Sequence, residues 1–345
     1  MDTGSWAQEL GISKEAVDLY AASEVIDLHL DSFIWDRILG YDIAKRNGTG
    51  LLGRSFYGHA DFPRALEAGL TGGTWIITTN PLRSAGGRRR AFEKNLQRLL
   101  GRMDLVDGIR HVRTAAEYKD ARAAGEHGAF IGIQGGNALD ESLDALDLIA
   151  DQSILRITLV HYSRSRIGNT SAPWSSQEVP LTAFGADYVR RLNELRIGVD
   201  LAHISRRGFF DAVEVHDKTQ PLFVTHTGLT EVHDVWRNIT DAQLRAVAET
   251  GGVVGVIFQC MFLGRRPVGV ETVVDHVAHI VDTVGEDHAS IGTDYDGAIT
   301  PPKDLPGPRA MPRLVQEMLD RGWSVDRIQK VLGGNALRAI AQLRG

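Results

Sequence analysis

The sequence predicts one (β/α)8 barrel, and three features predict it: eight short apolar runs spaced along the chain, helical patterns between them, and polar metal-binding side chains closing several of the runs. Parallel strands need long crossovers and are buried on both faces, so they read as near-continuous apolar stretches separated by helices. The active site of such a barrel forms where its strands end, and that is where this chain places many of its histidines and acids.

The eight runs cover residues 24–31, 73–80, 129–134, 155–161, 197–203, 222–226, 252–258 and 289–294, each bounded by Gly, Asn or polar residues. Between them, Val273, Val274, Val277, Ile280, Val281 and Val284 recur at helical spacing, and residues 89–100 and 140–149 form two further amphipathic stretches. Thr240-Asp241-Ala242-Gln243 has the form of a capping box opening the helix before Gly251. The connections 32–72 and 81–128 are longer than one helix requires, which predicts extra helices or lids over the mouth. Pro301-Pro302-Lys303-Asp304-Leu305-Pro306-Gly307-Pro308 reads as a rigid loop before C-terminal helices, and without repeat or low-complexity linker the whole chain, 1–345, is taken as a single domain.

Composition narrows the function. With 43% hydrophobic and 24% charged residues the chain has the profile of an ordinary soluble protein. A net charge of −6 and a pI near 6.1 argue against a nucleic-acid partner, which calls for a basic surface. Gly87-Arg88-Arg89-Arg90 is either a local anion contact or a solvated helix face. Residues 1–14 lack a secretory pattern and no run approaches the ~18 apolar residues of a membrane span, so a cytoplasmic location without membrane attachment is expected. Cys260 is the sole cysteine, which excludes an intrachain disulfide and a thiolate cluster. Any metal is then held by His, carboxylate or carbonyl oxygen.

The candidate site follows from the run ends. His29 and Asp31 are two apart on a strand and share a face, so imidazole and carboxylate reach one metal together. His203 and His226 close two consecutive runs; each alone reads as a satisfied core or loop histidine, and their joint position with His29-Leu30-Asp31 points to a metal centre. Asp294 ends the eighth run, where a carboxylate can accept a proton from metal-bound water; an Asx-turn or N-cap is the bland alternative for Asp294 and Asp296, and Asp294 is nearer the strand. The third run ends in the neutral Gln134. His161 divides evenly between structural and functional roles, and Arg237 by itself reads as loop decoration before Thr240. The other histidines, His59, His111, His127, His216, His233, His276, His279 and His288, sit in helical or loop contexts.

With these residues in place the chain resembles the membrane (renal) dipeptidases, zinc enzymes of the amidohydrolase superfamily. The matching segments include Asp27-Leu28-His29-Leu30-Asp31, Asp61-Phe62-Pro63-Arg64, Ile133-Gln134-Gly135-Gly136, Leu159-Val160-His161, Asp200-Leu201-Ala202-His203, Thr225-His226-Thr227, Arg237-Asn238, Gly292-Thr293-Asp294-Tyr295-Asp296-Gly297 and Gly334-Asn335-Ala336-Leu337-Arg338, in order along nearly the whole chain. The resemblance implies a homodimeric barrel with two zinc ions, the first on His29 and Asp31, the second on His203 and His226, and position 134 bridging. It further implies that His161 touches the substrate carbonyl, Arg237 its carboxylate, and that Asp294 is the acid/base. Two departures stand out: the bridging glutamate is Gln134, and the tyrosine expected after the seventh run is Gln259. A carboxylate offers two anionic oxygens between dications, an amide one neutral oxygen, so one ion or none is expected here. The reading is a dipeptidase-like metal-dependent hydrolase of a small amide or dipeptide with an altered centre. The rival is a homologue with one or no metal, working as a non-peptidase tailoring enzyme or small-molecule binder.

Overall fold

The computed structural model describes residues 2–48, 56–265 and 267–345. Part of the long connection after the first strand, 49–55, lies outside the described residues. Among the described residues nine strands occur: β1 (Ile26–Leu30), β2 (Gly72–Thr78), β3 (Ile109–His111), β4 (His127–Gln134), β5 (Arg156–Thr158), β6 (Gly198–Asp200), β7 (Phe223–Thr227), β8 (Val253–Val256) and β9 (Ala289–Ile291). All pair in parallel, in the order β2-β1-β9-β8-β7-β6-β5-β4, and β2 also pairs with β4, closing eight of them into a (β/α)8 barrel. β3 lies outside the ring and shares one edge of β4 with β5: Ile109 to His111 pair with His127 to Ala129, and Arg156 to Thr158 with Gly132 to Gln134.

The eight barrel strands overlap the eight predicted runs, most of them in shorter form; β4 instead begins two residues earlier, at His127, and β7 is shifted by one residue. β3 is the unpredicted one, because three residues carrying the exposed Arg110 hold too little apolar pattern to register. Every residue of the eight barrel strands is buried, as expected for a sheet whose inner face fills the barrel and whose outer face meets helices. Helix Val270–Val284 turns Val273, Val274, Val277 and Ile280 inward, and Thr240 closes the predicted capping box with Gln243 ahead of helix Asp241–Ala248. Residues 85–103 form the helix predicted over 89–100, extended at both ends. The stretch 140–149 is corrected: it holds a 3-10 helix, Leu143–Ile149, after another at Gly136–Leu139. Its apolar residues Leu143, Leu146 and Ile149 recur every third position, which a three-residue turn aligns into one stripe.

The long connections carry the expected additions. Helices Phe33–Ile38 and Phe62–Glu67 follow β1, and helices Ala85–Met103 and Ala115–Ala123 flank β3 after β2. The Arg88 and Arg89 side chains turn to acids, Arg88 to Asp140 and Arg89 to Glu93 and Glu141, so this basic cluster is an ion-paired helix face. No helix among the described residues is long and apolar enough to cross a membrane.

One paired row of residues fixes the level of the site. Thr78 lies opposite Gln134, Gln134 opposite Thr158, and Thr158 opposite Asp200, across four adjacent strands near their C-terminal ends.

Candidate metal centre

The strand ends deliver the predicted side chains to one place. His29 is the penultimate residue of β1 and Asp31 the first beyond it; Gln134 ends β4, His226 lies in β7, and His161, His203 and Asp294 each stand three residues beyond the last residue of β5, β6 and β9. His203 (φ 67°) and Asp294 (φ 60°) both hold left-handed backbone, a conformation costly for a side chain with a Cβ and one that turns each back over the mouth. Gly297 permits the tight return after Asp294, since a Cβ there would come within 2.1 Å of Asp294 Oδ1.

The rings and carboxylates converge. His203 Nε2 and His226 Nε2 are 2.8 Å apart, and two imidazole lone pairs at that distance repel unless a proton or a cation lies between them. His29 Nε2 stands 3.6 Å from Asp31 Oδ2 and 3.7 Å from Asp294 Oδ1. Those separations exceed a hydrogen bond and match two ligands around a shared third party. His29 Nε2 and Asp294 Oδ1 are both buried without a hydrogen bond among the described residues, and His29, His226 and Asp294 offer ligand atoms within 4.8 Å of one another. Gln134 sits between the two halves: its Oε1 accepts from Thr78 Oγ1 at 3.2 Å, and its NH2 lies 3.4 Å from Nε2 of both His203 and His226.

Electrostatics follow from burial. Desolvation, then the neighbouring His29 and Arg237, hold His226 well below the ordinary histidine range, and desolvation, Arg237 and His161 do the same for His203. Both are therefore neutral near pH 7, the form that ligates metal. Burial pushes His161 down to about 4, leaving a neutral ring beside those of Tyr162 and His203. Desolvation, reinforced by the Asp31 charge, raises Asp294 well above the usual carboxylate range, which makes it a proton holder.

Arg237, 2% exposed, donates through Nη2 to the His226 carbonyl and leaves Nε without a partner, and it forms no ion pair among the described residues. Asp296 does different work. It accepts from Ser32 Oγ and from the backbone N–H of His59 and Ala60, tying the loop after β9 to the connection after β1. Gln259 accepts from the Thr300 amide, bracing the same loop from the end of β8.

Beneath the mouth lies a polar floor that sequence reasoning missed. Arg156, on β5, donates to Thr158 Oγ1, Asp200 Oδ2, the Leu28 carbonyl and His29 Nδ1. Burial alone would raise Asp200, but Arg156, Thr158 and Thr225 outweigh it and hold the carboxyl below its usual range. The available signal was a charged residue inside an apolar run, Leu155-Arg156-Ile157, where a parallel strand has no solvent to offer.

Comparison with known proteins bears on this site. The model of the family described as membrane dipeptidase (peptidase family M19) matches residues 13–344. A protein of Klebsiella pneumoniae, known as an uncharacterized protein in the pqqA 5' region, is 37% identical over 178 residues, 50% of this chain, and the match spans 65% of that relative's own length. Dipeptidase ataJ of Aspergillus terreus is 28% identical over 319 residues, covering 83% of this chain and 77% of that protein. A crystal structure of a metallopeptidase from Rhodobacter sphaeroides, liganded with a phosphinate mimic of the dipeptide L-Ala-D-Ala, superposes with a TM-score of 0.82 at 27% identity, over 93% of this chain and 99% of that one.

Proposed function

The chain belongs to the membrane dipeptidase family, whose metallopeptidase character implies a metal cofactor, and we propose that this member hydrolyses a small amide or dipeptide with a centre altered at Gln134. The observation that carries the hydrolase reading is Arg237: a buried guanidinium beside the His/Asp cluster, without a carboxylate partner among the described residues. Burying a charge unpaired is costly, and a substrate carboxylate completes the fork. A relative bound to a dipeptide mimic supports the same class of ligand.

The residues divide the work. When a divalent ion such as zinc is bound, it supplies a water of lowered pKa and polarises a carbonyl oxygen. His29, Asp31, His203 and His226, with Gln134, are the candidate ligands. His161 is neutral and offers a ring N–H to a developing oxyanion. Asp294, with its raised pKa, holds and returns the proton that the leaving amine needs. Arg237 fixes the substrate by its carboxylate.

The cluster itself supports fewer than two ions. Even with both ionised, Asp31 and Asp294 would offset no more than one dication, and the bridging position presents an NH2 to His203 and His226 where a glutamate presents lone pairs. The same observation favours a second reading, a tailoring enzyme or binder that has abandoned peptides. Zinc titration of native protein and Gln134→Glu, each followed by a broad dipeptide panel, separates the two. The hydrolase reading expects Gln134→Glu to bind zinc more tightly and to cleave faster. A variant that gains zinc and cleaves no dipeptide assigns the pocket to the second reading.

A further inference from the structure

Arg156 is fully buried, and its guanidinium stands directly under the mouth. Its Nη1 donates to Thr158 Oγ1 at 2.7 Å and to Asp200 Oδ2 at 2.8 Å; its Nη2 donates to the Leu28 carbonyl at 3.0 Å and to His29 Nδ1 at 2.8 Å. A guanidinium has five N–H donors, no acceptor, and does not give up its proton in a protein. His29 Nδ1 has two neighbours, Arg156 Nη2 at 2.8 Å and Thr225 Oγ1 at 3.4 Å, and towards the nearer, which can only donate, it accepts. A neutral imidazole that accepts at one nitrogen carries its hydrogen on the other, so the proton of His29 sits on Nε2. Nε2 is the nitrogen that faces Asp31 and Asp294. The opposite tautomer would set two N–H groups against each other at 2.8 Å in a site without water-exposed surface to relieve them.

A metal ligand needs a lone pair where His29 has a hydrogen. Metal-bound histidines ordinarily donate their other ring N–H to a carboxylate or carbonyl, which leaves the coordinating nitrogen bare. Here the second partner is a donor, and the pattern is inverted. We infer that Arg156 removes His29 from the ligand set and makes it a fixed N–H donor between Asp31 and Asp294, so that the ion this chain binds is held on the His203 and His226 side. The inference rests on the proposal that fewer than two ions bind, and says which position is lost and by what residue. The unpartnered His29 Nε2 then points its hydrogen at a ligand oxygen, a water or a substrate carbonyl, in place of the first ion. The arrangement is stable because Asp200 neutralises Arg156 and is itself held by Thr158 Oγ1 and Thr225 Oγ1 at 2.6 and 2.7 Å.

The test begins with the native protein. Long-range proton–nitrogen correlation of histidine-labelled protein distinguishes bare from protonated ring nitrogens, and His29 is assigned by its loss in His29→Gln. The expected result is a bare Nδ1 and a protonated Nε2, unmoved when zinc is added, while the His203 and His226 signals shift. A bare Nε2, or a His29 signal that moves with zinc, overturns the inference without recourse to any Arg156 variant. Elemental analysis then separates this failure from that of the underlying reading. Two tightly held zinc ions in the native chain sink the altered-centre proposal itself. Two in Gln134→Glu alone leave that proposal standing and sink the role of Arg156. The expected count in Gln134→Glu is one, rising to two in Gln134→Glu/Arg156→Met/Asp200→Asn, where the buried pair is removed together so that neither charge is stranded.

Discussion

His127 and His276 are as deeply buried as His203 and His226, yet the two pairs are built differently. His127 donates from Nδ1 to the Leu70 carbonyl at 2.8 Å and accepts at Nε2 from Trp75 Nε1 at 3.1 Å. His276 accepts the Leu229 amide at 3.0 Å and donates to the Leu263 carbonyl at 2.9 Å. Both rings are saturated by partners that cannot leave. Among the described residues His203 has no hydrogen-bond partner at Nδ1, and its Nε2 meets His226 and Gln134. Burial is therefore silent about role; what distinguishes a wall histidine from a mouth histidine is whether fixed groups already occupy its two nitrogens.

The comparison breaks most decisively under paired substitution. His203→Gln should weaken zinc binding by at least about a hundredfold, since losing even an outer-shell partner of a ligand costs ~10–100-fold. His276→Gln should leave zinc binding unchanged and instead lower stability by roughly 1–3 kcal/mol, the cost of stranding buried backbone groups. Competition titration and urea unfolding of both variants give the four numbers needed. If His276→Gln weakens zinc binding as much as His203→Gln does, the two populations are one.

Arg237 extends the contrast from histidines to cations. Both guanidiniums are buried and leave Nε without a hydrogen bond among the described residues, but Arg156 has Asp200 as its carboxylate, with a threonine, a carbonyl and a histidine on its terminal nitrogens, while Arg237 has no carboxylate partner among the described residues. Each charge-assisted hydrogen bond is worth ~1.5–3 kcal/mol, so Arg237→Ala should weaken a carboxylate ligand by roughly ten- to a hundredfold or more. The amide of the same ligand should lose little, and Arg237→Lys should restore charge without the fork. Calorimetry on the matched ligand pair reads this directly. Equal losses for acid and amide would show that Arg237 braces the His226 carbonyl and does not recognise an anion.

These distinctions were legible in the sequence to different depths. The barrel was, because parallel strands buried on both faces leave apolar runs such as Phe223-Val224-Thr225 and Val253-Val254-Gly255-Val256 that periodicity alone detects. The convergence of His29, His203, His226 and Asp294 was foreshadowed by their positions at run ends, because the closed barrel brings all strand ends together. The floor was not. Arg156 and Asp200 lie on neighbouring strands 44 positions apart in sequence, and their pairing depends on register, which only the closed sheet sets. Arg237 could be placed only by resemblance, since nothing in a loop sequence says that a guanidinium will end up buried. The 3-10 turn at Leu143–Ile149 was misread as α-helical because apolar spacings of three satisfy both patterns over so short a span.

A last effect, spread over several pH units, is a pH dependence that the wall histidines should show even without metal. Burial pushes His127 down to about 4, against an ordinary value of 6.5, with the Leu70 carbonyl opposing the shift only in part. A base whose folded pKa is depressed contributes stability that is fully present above the unfolded value. That contribution is lost as pH falls from about 6.5 towards 4, because the unfolded chain takes up a proton that the folded ring refuses. At ~1.4 kcal/mol per unit, the whole span is on the order of 3 kcal/mol. His127→Gln keeps a donor for Leu70 and an acceptor for Trp75, so its stability at pH 7 should fall only modestly while its loss of stability between pH 6.5 and 4 shrinks. His276, also pushed down to about 4, supplies the slope that remains. Urea denaturation midpoints of native protein and His127→Gln at pH 7, 6, 5 and 4, in chelator to remove any ion, give the two slopes. Parallel curves would show that His127 carries its proton in the folded chain, and that a saturated hydrogen-bond set does not by itself keep a buried histidine neutral.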